Sequence, residues 1–143
     1  LLDKWFGNAD RLHIDSWVEI NYVDGYTVSL LSKKNISKNK LFFINLGGYD
    51  ENKFEELHES EFLVGDKKIE IKKRAKETLM KGLDQVHTDD LYDVDDCIEI
   101  NKVSDYFINL KKEKNKSKSL KFNNGYHPIP KKIIEKYKSL INN

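Results

Sequence analysis

The sequence has little cysteine, methionine or arginine and no long hydrophobic run. Its 143 residues include one Cys, so neither an intramolecular disulfide nor a thiolate metal cluster can form. No apolar run approaches the roughly 18 residues that a membrane-spanning helix needs, and we expect no membrane partner. The bias typical of collagen, coiled coils or disordered chains is also absent. What remains is a globular composition, with 38% hydrophobic, 11% aromatic and 34% charged residues.

The single methionine is Met80, and the first residue is a leucine. Residues 1–7 are typical of the last turn of an amphipathic helix that ends at a glycine. They lack the basic start and the apolar run of a signal peptide. We therefore expect a cytoplasmic protein whose sequence begins inside a structural element.

An internal repeat is the clearest feature of the chain. Residues 18–30 align without gaps on residues 98–110, and six of the thirteen positions are identical. Upstream, residues 12–15 match residues 86–89, with six extra residues in the second copy. Since repeated sequence is the signature of a repeated structural unit, we infer a duplication.

The second copy contains a whole unit. Its elements follow from apolar periodicity and glycine stops: a buried strand over residues 41–46, a strand over 61–64, an amphipathic helix over 67–81, and a hairpin of residues 97–101 with 106–110. We predict an α+β protein made of a duplicated ββαββ unit, with antiparallel sheets, helices packed on one face and a further C-terminal helix.

The predicted domain covers residues 1–110, with an incomplete first copy over 1–31 and the second copy over 41–110. The linker between the copies is short, so we expect one shared core. Residues 111–143 form a Lys-rich connector and a helix that starts at Pro130 and docks on the domain. The incomplete first copy should leave a sheet edge unpaired, which is a route to a homo-oligomer.

Several short motifs occur in a characteristic order. Leu-Gly-Gly-Tyr at residues 46–49 precedes Glu-Leu-His-Glu at 56–59, the helix and a His-x-Asp, while Leu-His-Ile-Asp-Ser-Trp at 12–17 precedes Asp-Gly-Tyr at 24–26. Over roughly residues 1–110 the chain resembles the bacterial family catalogued as domain of unknown function 1543, which looks like one or two copies of this unit per chain. The first copy departs from the pattern, since it lacks the strand, the Gly-Gly and the Glu-x-His. The resemblance implies no activity, so no catalytic residue is carried over.

The repeated His-x-Asp motif supplies the candidate site residues: His13, Asp15, His58, His87 and Asp89. A carboxylate two positions from a histidine suits metal binding or acid–base chemistry, because it fixes the imidazole tautomer. His58, with Glu56 and Glu59 nearby, would add a third ligand. Equally, each histidine could cap the turn that enters its hairpin. The sequence identifies no metal and no cofactor.

Three other features have structural as well as functional interpretations. Gly47-Gly48 lacks the further glycines of phosphate-binding loops, so we predict a tight turn with positive φ. The six aspartates between residues 84 and 96 fail the EF-hand spacing, and we expect a solvated acidic connector. Cys97 has no partnered base in the sequence, and we predict that it packs in the core.

Charge is distributed unevenly along the chain. Residues 111–143 hold ten Lys and two Glu, a net charge of +8, so the net charge of +1 leaves −7 for residues 1–110. The tail has no arginine for bidentate phosphate contacts, and we do not expect nucleic acid as a partner. We expect the tail to lie against the acidic part of its own chain.

These observations favour a ligand-binding or interaction module without catalysis. One alternative is a metal-assisted hydrolase that uses the repeated His and Asp residues. Another is a nucleic-acid accessory domain that uses the Lys-rich tail.

Overall fold

A computed structural model describes residues 11–50, 52–79, 84–87, 97–113 and 120–141. The protein is α+β, with mostly antiparallel sheets and, in this part of the chain, two helices. Its contacts divide it into two units. The major unit spans Ile20–Ser119, and the minor unit combines the residues up to Glu19 with those from Leu120 onward.

The elements have the following bounds: β1 His13–Val18, β2 Tyr22–Val23, β3 Tyr26–Leu31, β4 Lys40–Tyr49, β5 Leu57–Gly65, α1 Lys68–Thr78, β6 Asp84–His87, β7 Cys97–Ile100, β8 Lys102–Val103, β9 Tyr106–Lys112, β10 Phe122–Pro128 and α2 Lys131–Ile141.

Strand β4 is the centre of the major unit. It pairs antiparallel with β5 along one edge and with β6 and β7 along the other. Its apolar run fills the core, and Phe42, Ile44 and Leu46 are at most 1% exposed. Helix α1 covers this face with Ile71 and Ala75, which are also buried. Burial of each large apolar side chain contributes about 1.5–3 kcal/mol, so this cluster holds β4, β5, β7 and α1 together.

Gly47-Gly48 lies inside β4 and does not form a turn, so the predicted tight turn is wrong. Gly47 pairs with His58, and Gly48 pairs with Leu57. Positive φ angles occur at Gly25 and Gly125 among the described glycines, and not at this pair. The strand continues because backbone pairing on both sides compensates for the absence of side chains.

The second sheet of the major unit has the strand order β2-β3-β9-β8. Each outer strand joins its inner neighbour through a two-residue turn, with a residue at positive φ in each: Asp24 at 53° and Ser104 at 51°. The predicted hairpin of residues 97–101 with 106–110 is therefore wrong in its first strand. Residues 97–100 pair with β4, and Cys97 joins the core at 4% exposure, as predicted.

The minor unit consists of β1, β10 and α2. Strand β10 pairs antiparallel with β1, and the Ile129 N–H extends the ladder by donating to the Leu12 carbonyl at 2.8 Å. Helix α2 begins directly after Pro130, as predicted, and buries Ile134 to 6% exposure. One edge of β1 thus carries a strand of its own chain. The predicted unpaired edge of the first copy is therefore wrong at β1, where the chain's own tail pairs with it, and a homo-oligomer stays a prediction.

None of the helices described is long and apolar enough to cross a membrane.

Candidate functional site

An imidazole and a carboxylate converge over Gly47 in the middle of the β4 sheet. The partner of Gly47 on β5 is His58, and cross-strand partners project from the same face of a sheet. A Cβ added to Gly47 would collide with Oε1 of Glu56 and would lie 3.2 Å from its Cδ and 3.6 Å from Nε2 of His58. The two functional groups therefore occupy the space that a larger residue would fill. We call this arrangement of Gly47, Glu56 and His58 the Gly47 niche.

The His58 imidazole is accessible from solvent, whereas Oε1 of Glu56 is buried. The Glu56 side chain is 25% exposed and the His58 side chain 52% exposed. Their Oε1 and Nε2 atoms lie 3.9 Å apart, too far for a direct hydrogen bond. A ligand atom that approaches the niche would therefore meet the exposed His58 imidazole beside the partly exposed Glu56 carboxylate, whose Oε1 is buried against Gly47.

The backbone of His87 lies next to Gly47 on the other side of strand β4 from His58. On β6, it is the register partner of Gly47. Because neighbouring strands lie about 4.8 Å apart, the backbones of His58 and His87 flank Gly47 at a separation of about 10 Å. Asp89, the acidic partner predicted for His87, lies outside the described residues.

His13 and Asp15 form a pair in the minor unit. Nε2 of His13 lies 3.1 Å from Oδ1 of Asp15, and the His13 ring packs on Tyr126 with the ring centroids 4.6 Å apart. An irregularity in the β1–β10 register between residues 14 and 16 accompanies this geometry. The two side chains of this His-x-Asp motif are therefore in contact. Asp15 is 84% exposed, so the pair lies at the surface.

Sequence reasoning missed a cavity beneath the linker between the two predicted copies. We call it the linker cavity. It has a volume of about 370 Å³. It is lined by Lys34, Asn35, Ile36, Ser37, Asn39, Lys40, Leu41, Glu99, Ile100, Asn101, Phe107, Ile108 and Leu110. The corresponding sequence is a run of Lys and Asn between two strands, and such a run is also typical of a solvated connector.

An ion pair lies at the linker cavity. Nζ of Lys40 donates to Oε2 of Glu99 at 2.8 Å. Burial alone would raise the pKa of the Glu99 carboxyl, but hydrogen bonds from Lys40 and Asn101 and the charges of Lys40 and Lys34 hold it below its ordinary value. Glu99 is therefore ionised at neutral pH and neutralises one of the two lysines.

A second polar cluster attaches the β2–β3 turn to β5 and α1. Oδ2 of Asp24 accepts hydrogen bonds from the Val64 N–H, at 2.7 Å, and from the Arg74 guanidinium. Burial, with repulsion from Asp24 and Glu59, raises the pKa of Glu61 beside this cluster, and Arg74 opposes the shift. These contacts hold the two sheets of the major unit together.

Within the described side chains, no three His, Cys, Asp or Glu residues form a group that could hold a metal ion. The described candidates therefore fall into two pairs, His13 with Asp15 and Glu56 with His58.

The fold and these pairs define a class of α+β proteins with mostly antiparallel sheets and no assigned chemistry. The model of the family described as Domain of Unknown Function (DUF1543) matches residues 1–30 and 53–110, and the chain belongs to this family. Its fold is similar to the crystal structure of a protein, Il1583, from Idiomarina loihiensis, with a TM-score of 0.57 and 23% sequence identity. The match covers 90% of this chain and 72% of that one. No curated protein matches the chain.

Proposed function

We propose that the protein is a ligand-binding module without catalysis and that its ligand is bound at the Gly47 niche. The observation that carries this proposal is the convergence of Glu56 and His58 over a residue without a side chain. A rigid central strand forms the base of the niche, so little conformational entropy is lost when a ligand is bound there.

The chemistry of the niche suits a small polar ligand. The Glu56 carboxylate accepts hydrogen bonds, and the His58 imidazole donates or accepts according to its tautomer. Because Oε1 of Glu56 already lies over Gly47, the ligand would contact the outer side of the Glu56–His58 pair and not the Gly47 backbone.

Thermal-shift and amide NMR titrations with a panel of polar metabolites test the proposal. A ligand of the niche should shift the amide resonances of Gly47 and His58, and both Gly47→Ala and His58→Ala should weaken its binding. His13→Ala, in the minor unit, is the matched control and should leave binding unchanged. If every ligand found binds both histidine variants equally well, the niche is not the site.

A metal-assisted hydrolase is the second candidate, and the 3.9 Å between Glu56 Oε1 and His58 Nε2 favours it. Two donors at about 2.0–2.1 Å from a tetrahedral zinc ion are about 3.3–3.4 Å apart, so a small rotation would suffice. His87, in register with Gly47, would be a third ligand.

Cobalt(II) titration followed by visible absorption tests the metal site. His58→Ala and His87→Ala should each abolish a tetrahedral cobalt spectrum, whereas His127→Ala should not. Hydrolysis of p-nitrophenyl esters by the zinc-loaded protein tests the activity. A cobalt spectrum that survives both variants would exclude this site.

We also propose that the major unit contains parts of two copies of one structural unit. In this proposal residues 1–31 are the incomplete first copy and residues 41–110 the second. The two hairpins support it, because Val23 pairs with Tyr26 as Val103 pairs with Tyr106. Both turns hold a non-glycine residue at nearly the same positive φ, although their sequences differ.

The pairing of β3 with β9 supports the duplication independently. Ser29 and Asn109 are equivalent positions of the aligned copies, and they are also direct partners across the two strands. The Asn109 side-chain amide donates to the Ser29 hydroxyl at 3.1 Å. The order β2-β3-β9-β8 is therefore what a local two-fold axis between equivalent strands would produce. An experimental structure in which residues 21–30 do not superpose on 101–110 would contradict the duplication.

A further inference from the structure

We infer that the linker cavity is a second binding site, which takes a small organic acid with an apolar body and one carboxylate. This inference does not depend on the Gly47 niche. It rests on three observations: how the linker is anchored, which side chains form the walls, and which charge is left unbalanced.

The linker is held at three points. The side-chain amide of Asn35 donates to Oδ1 of Asn109 at 2.7 Å, and the side-chain amide of Asn39 donates to the Tyr26 hydroxyl at 2.9 Å. Between them, Lys38 forms an ion pair with Asp66 at 3.2 Å. Hydrogen bonds at both ends keep the segment arched over the strands, so the cavity is present before a ligand arrives. Preformed cavities of about 300–1,000 Å³ are typical of small-molecule sites.

The walls of the cavity combine an apolar part with polar and charged side chains. Leu41, Ile108 and Leu110 contribute branched aliphatic side chains, and Phe107 contributes a ring. At the linker, Ile36 is 97% exposed, which leaves a large apolar side chain in water beside the cavity. An apolar ligand body would bury part of this surface and remove it from water, which favours binding.

The charged side chains that line the cavity favour an anionic ligand. Glu99 accepts a 2.8 Å hydrogen bond from Lys40, and the charge of Lys34 also acts on this single carboxylate. The lining therefore carries two positive charges against one negative charge. The amides of Asn35, Asn39 and Asn101 add uncharged donors around the same space. A carboxylate that pairs with Lys34 would remove the imbalance.

Amide NMR titration of the full chain with hexanoate tests the inference, with hexanamide as the neutral isostere. Hexanoate should give saturable shifts at Leu41, Ile108 and Leu110. Hexanamide should bind roughly tenfold more weakly, because a charge-assisted hydrogen bond contributes about 1.5 kcal/mol or more. Equal binding of the two compounds, or the absence of saturable shifts at these amides, would overturn the inference.

Lys34→Gln and Lys33→Gln form a matched pair of variants. Both lysines are exposed and adjacent, but Lys34 lines the cavity and Lys33 does not. We expect Lys34→Gln to weaken hexanoate binding roughly five- to tenfold and Lys33→Gln to leave it unchanged. Neither residue is in the core, so unaltered spectra elsewhere will show that both variants fold. The same loss in both variants would mean non-specific attraction to the lysines.

Discussion

Gly47→Ala separates the role of the niche from its contribution to folding. The new Cβ would meet the carboxylate of Glu56, which is the far end of a flexible side chain. Moving that carboxylate to another rotamer costs about 0.5–1.5 kcal/mol. Replacing a glycine by alanine in a strand with ordinary backbone angles stabilises the folded protein by about 0.4–1 kcal/mol, because the unfolded chain loses conformational entropy. We therefore expect the free energy of unfolding to change by less than about 1 kcal/mol.

Gly65→Ala is the control, since Gly65 also lies in a strand and has no positive φ. Here the added Cβ would lie 2.8 Å from Cδ1 and 3.4 Å from Cγ1 of Ile71. Ile71 is 1% exposed and is packed between the sheet and helix α1, so it has little room to move. Overpacking of this kind costs about 1–3 kcal/mol.

Urea unfolding followed by circular dichroism gives both free energies. We expect Gly65→Ala to be less stable than Gly47→Ala by about 1 kcal/mol, the difference between the central values of the two costs. The side-chain NMR signals of His58 should move in Gly47→Ala and stay in place in Gly65→Ala, because only the first variant displaces Glu56. Equal destabilisation by the two variants would refute the reasoning, since it would mean that Glu56 is held rigidly.

Three further predictions concern the remaining contacts. Asp24→Ala should lower the free energy of unfolding by about 2–3 kcal/mol through lost hydrogen bonds to its carboxylate, and Ser104→Ala, in the equivalent turn, by less than about 1 kcal/mol; equal losses in urea unfolding would contradict this. Glu61→Gln should stabilise the protein at neutral pH, because the raised pKa of Glu61 makes its ionised form costly above that pKa. This gain should vanish as the pH falls below the ordinary carboxyl pKa, and its persistence in acid would disprove the cause. Ile134→Ala should cost about 2–4 kcal/mol and speed hydrogen exchange in β10, whereas the half-exposed Ile133 should tolerate alanine.

The sequence predicts an element well when residues within that element determine its structure. The apolar run of β4 and the start of α2 after Pro130 are both local signals. The burial of Cys97 also follows from its apolar neighbours and the absence of a second cysteine. The pairing of β7 could not be predicted in the same way, because residues 97–100 bind a strand more than fifty positions earlier and not the next strand in the chain.

The candidate site, too, could be predicted only where local sequence determines it. His58 was identified from its motif. The role of Gly47 was not identified, because Glu56, which lies over it, comes from the residue just before the neighbouring strand β5. Local sequence indicates a turn for a Gly-Gly pair. Only the register between β4 and β5 shows that Gly47 lies opposite His58. The linker cavity was missed for a related reason. Its walls come from separate segments, and it exists because Asn35 is anchored to Asn109 on another strand.

The pairing of β3 with β9 has a consequence for how the protein folds. Ser29 and Asn109 are 80 residues apart in sequence, whereas the partners Phe43 and Phe62 in the β4–β5 hairpin are about 20 residues apart. Each doubling of a closed loop adds about 0.6 kcal/mol of entropic cost, so the longer closure costs about 1.2 kcal/mol more. We expect the β4–β5 hairpin and α1 to form early and the β3–β9 ladder to form late. The folding rate should therefore respond more to substitutions at Phe43 than to substitutions at Ser29.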